Sequence, residues 1–139
     1  MPYEILPMTL NDYPEILSLW QSSEGIGLSS ADSRDGIARF LERNPGLAFV
    51  ARDPIGLAGA VMVGEDGRRG NLYHLAVSPR CRRQGIGRAL VERCLEGLRR
   101  RGIEKCHIFV FAANLDGQAF WQGAGFAARP DLIIMSHSI

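Results

Sequence analysis

The chain has 139 residues, 46% of them apolar and 22% charged, with a formal net charge of +1. That length suits a single domain spanning residues 1–139, and the composition excludes a disordered chain, a collagen-like repeat or a coiled coil. The longest uncharged apolar stretch, Ile55 to Gly64, falls far short of the roughly 20 residues that cross a bilayer. The N-terminal MPYEILPMTLND lacks the basic start and apolar run of a signal peptide, so a cytoplasmic location with no membrane partner is expected.

Tyr3 to Leu6 reads as a short strand. Asn11 or Asp12 caps a helix that carries Pro14 in its first turn and Ile16, Leu17, Leu19 and Trp20 on its apolar side. The glycine- and serine-rich SSEGIGLSSAD is a loop. Asp32 or Ser33 then caps a second helix, with Ile37, Phe40 and Leu41 on one face and Asn44-Pro45-Gly46 at its end. Leu47 to Arg52 and Leu57 to Gly64 are strands joined by Asp53-Pro54-Ile55-Gly56. The turn EDGRRG leads into a third strand of this run, Asn71 to Val77.

A basic loop follows, then the strongest helix, where Ile86, Leu90, Val91, Cys94, Leu95 and Leu98 recur at three- and four-residue spacing until Gly102. Cys106 to Phe111 is a strand, Leu115 to Gln122 a short helix ended by Gly123 and Gly125, and Ile133 to His137 a last strand. This order predicts a mixed α/β (α+β) domain on a largely antiparallel sheet flanked by helices, with one parallel crossover.

Cys81, Cys94 and Cys106 are odd in number and contain no CxxC pair, which favours reduced thiols over a disulfide framework or zinc site. His74, His107 and His137 are equally scattered, so no metal is expected. Charge is unevenly spread. From Pro79 to Arg101 eight arginines face two glutamates, a net +6 that leaves the remainder at −5. A concentrated positive field suggests an anionic partner, unless these arginines merely line a solvated helix face.

The informative segment is LAVSPRCRRQGIGRAL, Leu75 to Leu90, where a strand runs through a loop of arginines and glycines directly into a helix. Glycines let the backbone aim its N–H groups at one point, and the positive end of the helix favours negative charge there, the physics of a phosphate cradle. GxxxxGK[ST] is absent, since Gly87 is followed by Arg88 and the only lysine is Lys105. GxGxxG fails too, because Gly85-Ile86-Gly87 is followed by Arg88, Ala89 and Leu90.

Arg82-x-x-Gly85-x-Gly87, preceded by Leu75-Ala76-Val77 and Pro79, resembles the acetyl-CoA-binding signature [QR]xxGx[GA] of the GNAT N-acetyltransferase superfamily. Downstream, Asn114, Trp121 and Gly125-Phe126 are similar in spacing to the family's last motif, and the turn GEDGRRG resembles a YpeA-like bacterial branch. The resemblance implies a CoA cleft between two splayed parallel strands, Asn71 to Val77 and Cys106 to Phe111. It implies that the backbone of Leu75, Ala76 and Val77 pairs with the pantetheine arm and that one of their N–H groups polarises the acetyl carbonyl. The amides of Arg83, Gln84, Gly85, Ile86, Gly87 and Arg88 would then take the pyrophosphate, Arg82 or Arg88 the remaining phosphate charge, and Asn114 the pantetheine. Acetyl-CoA would serve as co-substrate, and a homodimer through the C-terminal strands is a habit of the family.

Acetyl transfer to an amine needs a neutral nucleophile, yet an alkylammonium titrates near 10, so about a thousandth is free at pH 7. A positioned base corrects this. Trp121 fills the position where many relatives carry an acidic tyrosine, and indole N–H is a donor that does not give up its proton. Phe109 fills the position of a glutamate base found in some relatives. Trp121 is then a wall of the CoA cleft or a core residue. The substitutes are Tyr73 and His74, the latter of a residue type that titrates near neutrality. Simple alternation puts 73 and 74 on opposite faces, so without a bulge only one reaches the cleft, and the other is a packed strand residue.

Glu24, Ser29 and Ser30 line the acceptor pocket by family analogy, or form an ordinary exposed loop. The expected function is an acetyl-CoA-dependent N-acetyltransferase whose acceptor is a small-molecule or peptide primary amine, attacking the thioester directly. The alternative is a catalytically weak CoA-binding or regulatory module. No nucleic-acid partner is expected, since the chain outside the basic segment is net negative and carries no reader motif.

Overall fold

The computed structural model describes residues 2–139. In chain order the elements are β1 (Glu4–Pro7), α1 (Tyr13–Gln21), α2 (Arg34–Arg43), β2 (Ala48–Arg52), β3 (Leu57–Glu65), β4 (Gly70–Val77), α3 (Ile86–Arg100), β5 (Cys106–Ile108) and α4 (Leu115–Gly123). Short 3-10 turns precede α1 and α2 and follow β4, at Leu10–Asp12, Ser30–Asp32 and Pro79–Cys81. The chain divides into two compact units, Met1–Phe109 and Val110–Ile139.

In the first unit the five strands form one sheet in the order β1-β2-β3-β4-β5. The first three pairings are antiparallel and β4–β5 is parallel, the crossover through α3 that the sequence order predicts. Alternation sorts the strand residues onto two faces. Ala48, Val50, Ala60, Met62 and Ala76 pack with Ile16, Leu19 and Trp20 of α1 and Ile37 of α2 in one buried cluster. α3 packs against β2, β3 and β4, burying Ile86, Leu90, Val91, Cys94 and Leu98.

Gly59 on β3 permits α3 to lie this close. A Cβ there would stand 3.0 Å from the Ala76 carbonyl oxygen, 3.1 Å from Leu90 Cδ1 and 3.4 Å from Ile86 Cγ2. The absent side chain therefore sets the depth at which the helix, and with it the loop feeding its N-terminus, meets the sheet.

Two sequence expectations are corrected. The strand expected over 106–111 ends at Ile108, where its pairing with Leu72 ends, and Phe109 beyond it is 59% exposed. The last strand, expected over 133–137, has no ladder partner and is not a strand; its residues are exposed. β-branched and apolar residues favour a strand only where a neighbouring backbone completes the hydrogen bonds. In the second unit, α4 is capped by Asn114, whose side chain accepts from the Gly117 N–H at 2.9 Å.

Candidate functional site

The site begins where β4 parts from β5. The parallel pair is in register at Gly70–Cys106, Asn71–His107 and Leu72–Ile108 only. On the other side β4 stays paired with β3 as far as Val77. From Tyr73 to Val77 the edge facing away from β3 thus has no strand partner among the described residues, and its backbone groups are available to an extended ligand.

A β-bulge sits at the start of this edge. Tyr73 pairs with Met62 and Ala76 with Ala60, so His74 and Leu75 together oppose Val61. His74 takes the left-handed conformation, φ 54°, which is uncommon for a residue with a Cβ and more frequent for histidine than for most. The extra residue resolves the alternation problem: Tyr73 and Ala76, three apart, both pack in the α1–α2 cluster, and His74 turns the same way. The Tyr73 ring meets Phe40 of α2 edge-on, centroids 5.8 Å apart. The His74 ring meets Trp20 of α1 at 4.9 Å and 65°, and its Nε2 lies 2.8 Å from Oδ1 of Asp32. Burial pushes the Tyr73 phenol above its ordinary pKa, with Cys106 adding to the shift.

After Val77 the chain enters the basic loop. Arg83 (φ 65°) and Gly85 (φ 78°) are both left-handed, a turn that swings backbone N–H groups toward one side. A Cβ on Gly85 would meet nothing within 4 Å, so its backbone conformation, and not crowding, calls for glycine. No side chain caps α3 at Gly85, which leaves the first-turn amides and the positive end of a 15-residue helix facing outward. Ile86 is 1% exposed and offers only its backbone.

The eight arginines of the basic segment separate by partner. Arg80 binds Asp53, Arg99 and Arg100 bind Glu92 and Glu96, and Arg101 reaches Glu65. Arg93 lies over the Phe49 ring, 4.9 Å from its centroid. Arg82, Arg83 and Arg88 make no ion pair among the described residues and are exposed. These are the three that flank the left-handed turn. Unpaired cations, outward amides and a helix N-terminus together suit a diphosphate or similar polyanion.

The family model of the acetyltransferase (GNAT) family matches residues 13–126. The chain belongs to the GNAT family. It is 35% identical over 111 residues to an acetyltransferase of Pectobacterium atrosepticum, covering 80% of this chain and 78% of that protein. With an acetyltransferase of Photorhabdus laumondii it shares 34% over 107 residues, 77% of this chain and 74% of the relative. Among solved structures, Ard1 from Thermoplasma volcanium superposes with a TM-score of 0.81 at 19% identity, covering 91% of this chain and 84% of that one. PaiA N-acetyltransferase from Thermoplasma acidophilum, solved in complex with coenzyme A, gives 0.80 at 19% identity over 93% and 92%. The ribosomal-protein-S18-alanine N-acetyltransferase of Escherichia coli gives 0.74 at 25% identity over 89% and 77%. An acyltransferase on a mixed, mostly antiparallel GNAT sheet is thereby established.

The remaining residues singled out in this GNAT chain have defined surroundings. Glu24 and Ser30 are exposed; the exposed Ser29 hydroxyl accepts from the Ala31 N–H at 3.2 Å. Gln84 and Gly87 lie in and just after the left-handed turn, Gln84 exposed. In the second unit the Asn114 carboxamide oxygen is occupied by its cap. Trp121 is 9% exposed, with Phe120 at 5.1 Å and Phe126 at 5.2 Å, both edge-on, so it is the packing centre of that unit. No helix among the described residues is long and apolar enough to cross a membrane, and among them no three His, Cys, Asp or Glu side chains converge. An open groove of about 530 Å³ runs from Pro14, Ser18 and Ser22 past Gly56 to Ser78 and Arg80, and none of the residues named for the site lines it.

Asp32 was legible only as a helix cap. In the structure Ser33 caps α2, and Asp32, 8% exposed, is bound to His74 42 residues away. Trp20, read as part of an apolar helix face, forms the other wall of the imidazole.

Proposed function

We propose that the chain is an acetyl-CoA-dependent N-acetyltransferase acting on a primary amine. The observation that carries this reading is the continuity of three features on one stretch of backbone: the unpaired β4 edge from Tyr73 to Val77, the left-handed turn at Arg83 and Gly85, and the uncapped start of α3. The fit to CoA is physical. The turn and the unpaired Arg82, Arg83 and Arg88 suit a pyrophosphate, and the backbone groups of the Leu75–Val77 stretch that point away from β3 suit the amide groups of pantetheine. Acetyl-CoA supplies an activated acyl group whose carbon–sulfur bond breaks as the carbon–nitrogen bond forms.

The residues of this chain do the rest. An N–H on the Leu75–Val77 edge donates to the acyl oxygen as charge develops on it, the kind of contact whose removal typically costs about 10²- to 10³-fold in rate. The His74 imidazole takes the proton lost by the attacking amine. Tyr73, whose phenol is held protonated by burial, is the nearest donor along the chain for the departing thiolate. The family pattern assigns cofactor roles to Asn114 and Trp121 and acceptor roles to Glu24, Ser29 and Ser30.

A screen of free-thiol release from acetyl-CoA tests this, with a peptide bearing an N-terminal alanine, a polyamine, an aminoglycoside and free amino acids as acceptors. Turnover near one per second, ordinary for an enzyme, with any of them is the expected result. Binding of acetyl-CoA with no thiol release across the screen would favour a CoA-binding regulatory module, the reading suggested by Trp121 and Phe109 in place of the usual proton carriers.

A further inference from the structure

The geometry points to Asp32 as the positioning residue of the His74 base, an inference that rests on the N-acetyltransferase reading. Asp32 is held from four directions. Its Oδ2 accepts the Ser29 backbone N–H at 3.0 Å, and its Oδ1 meets His74 Nε2 at 2.8 Å. Its carbonyl accepts the Tyr13 hydroxyl at 2.7 Å, and its own N–H donates to the Ser29 carbonyl at 3.0 Å. The Asp32 side chain is 10% exposed and that of His74 17%, so the pair is sheltered but reachable.

The hydrogen-bond pattern assigns the tautomer. An ionised carboxylate only accepts. Both oxygens of Asp32 face donors, the Ser29 N–H and the His74 ring, so the ring proton belongs on Nε2. Nδ1, which has no hydrogen-bond partner among the described residues, then carries the lone pair. A histidine tied through one nitrogen to a carboxylate presents the other as a base in fixed orientation, and the carboxylate stabilises the imidazolium that forms. During transfer the ammonium proton of the acceptor passes to Nδ1, and the freed amine nitrogen attacks the acyl carbon.

Two further observations indicate function rather than packing. His74 adopts a left-handed backbone, φ 54°, a strained conformation for a residue with a Cβ that persists where the surroundings enforce it. Trp20, 1% exposed and edge-on to the imidazole ring, holds the one buried side-chain polar atom with no partner among the described residues, Nε1. An orphaned donor beside a histidine with a free nitrogen is a place for a water or a ligand atom. The base is therefore assembled from two elements: His74 from the β4 bulge, and Asp32 from the end of the 22–32 loop that the family pattern gives to the acceptor.

The test is nitrogen NMR of the imidazoles together with kinetics on Asp32→Asn. The three histidines are assigned by loss of the His74 signals in His74→Gln. In the native chain His74 is expected in the Nε2-protonated form. In Asp32→Asn the Ser29 N–H claims the carboxamide oxygen, the amide NH₂ faces Nε2, and the ring proton moves to Nδ1. The turnover number should fall by about 100-fold, the low end for a lost base, with KM for acetyl-CoA unchanged. The other titratable group on the pair is Tyr13 from α1, whose hydroxyl is on the Asp32 carbonyl, and it does not change in Asp32→Asn.

Tyr13→Phe is the structural control: it loosens the same turn without touching the carboxylate, and should keep the native tautomer and most of the rate. The proposal is overturned if native His74 carries its proton on Nδ1, if Asp32→Asn leaves tautomer and rate unaltered, or if Tyr13→Phe reproduces the whole loss. Failure of the underlying reading looks different, since the tautomer is read without acetyl-CoA or any amine.

Discussion

Arg80 donates from both terminal nitrogens to the carboxylate of Asp53, at 2.5 and 3.0 Å, and from one of them to the Leu57 carbonyl at 3.2 Å. This fork ties the first turn of the basic loop to the β2–β3 turn, where Asp53 also accepts the N–H groups of Ile55 and Gly56. The Arg80 guanidinium, helped by those two amides, holds the Asp53 carboxyl well below the usual carboxylate range. The sign follows by linkage. A depressed carboxylate contributes stability that is fully present above its unfolded pKa of about 3.9 and is lost as pH falls toward the folded value. Asp53→Asn should therefore melt at lower temperature than the native chain near pH 6, and the gap should narrow below about pH 4. Melting curves by circular dichroism across that range check it; a gap that widens on acidification contradicts the assignment. The same variant should weaken acetyl-CoA binding, because the loop loses its anchor.

The contact that Gly59 leaves room for makes a second prediction. In Gly59→Ala the new methyl meets the Ala76 carbonyl and two side chains of α3, an overpacking expected to cost about 1–3 kcal/mol. Chemical denaturation measures that loss. Since α3 must shift for relief, acetyl-CoA affinity should fall too, although residue 59 lies outside the loop.

Position within the basic segment, not charge alone, should decide the effect of removing an arginine. Arg82→Gln, Arg83→Gln and Arg88→Gln should each lower acetyl-CoA affinity by roughly fivefold, near the upper range for one exposed ion pair. Arg99→Gln and Arg100→Gln, whose native partners are Glu92 and Glu96, should leave affinity unchanged. Titration calorimetry at two salt concentrations separates the groups. Equal losses at all five positions would mean that the field of the helix matters and the loop geometry does not.

The cysteines should be silent in a thiol-release assay. Burial pushes the Cys94 thiol well up and the Cys106 thiol to about 11, and burial with the neighbouring Asp53 carboxylate raises Cys81. A thiol of pKa about 11 is thiolate in roughly one part in ten thousand at pH 7, and the thiolate is the nucleophile. An aromatic disulfide reagent should therefore label the folded chain slowly and all three cysteines at once after denaturation. Fast labelling of the native protein would contradict the burial.

Much of the fold was legible because its signals are local. Three- and four-residue spacing of Ile86, Leu90, Val91, Cys94 and Leu98 announced α3, and Gly85 and Gly87 after a strand announced the loop. The bulge was not legible, since it exists only as a mismatch of count between β3 and β4. Asp32 was hidden for a related reason: beside Ser33 at a helix start, a capping role accounted for it fully, and its partner His74 is 42 residues away. The expected strand at 133–137 failed because side-chain pattern supplies β propensity but not a pairing edge. The split of the arginines into paired and free was equally invisible, because it depends on where Asp53, Glu65 and Phe49 fold.

The central claim is that the β4 edge and the loop after it form an acetyl-CoA site. Thermal-shift titration of the native chain and Gly85→Glu with acetyl-CoA, desulfo-CoA and NADH tests it most directly. At 100 times the dissociation constant a ligand adds about 2.7 kcal/mol, which raises the midpoint of a domain this size by several degrees. The account predicts that shift for the native chain with both CoA species and not with NADH, and its loss in a folded Gly85→Glu, where a carboxylate occupies the pyrophosphate position. No shift with either CoA species, or an undiminished shift in the variant, would contradict it.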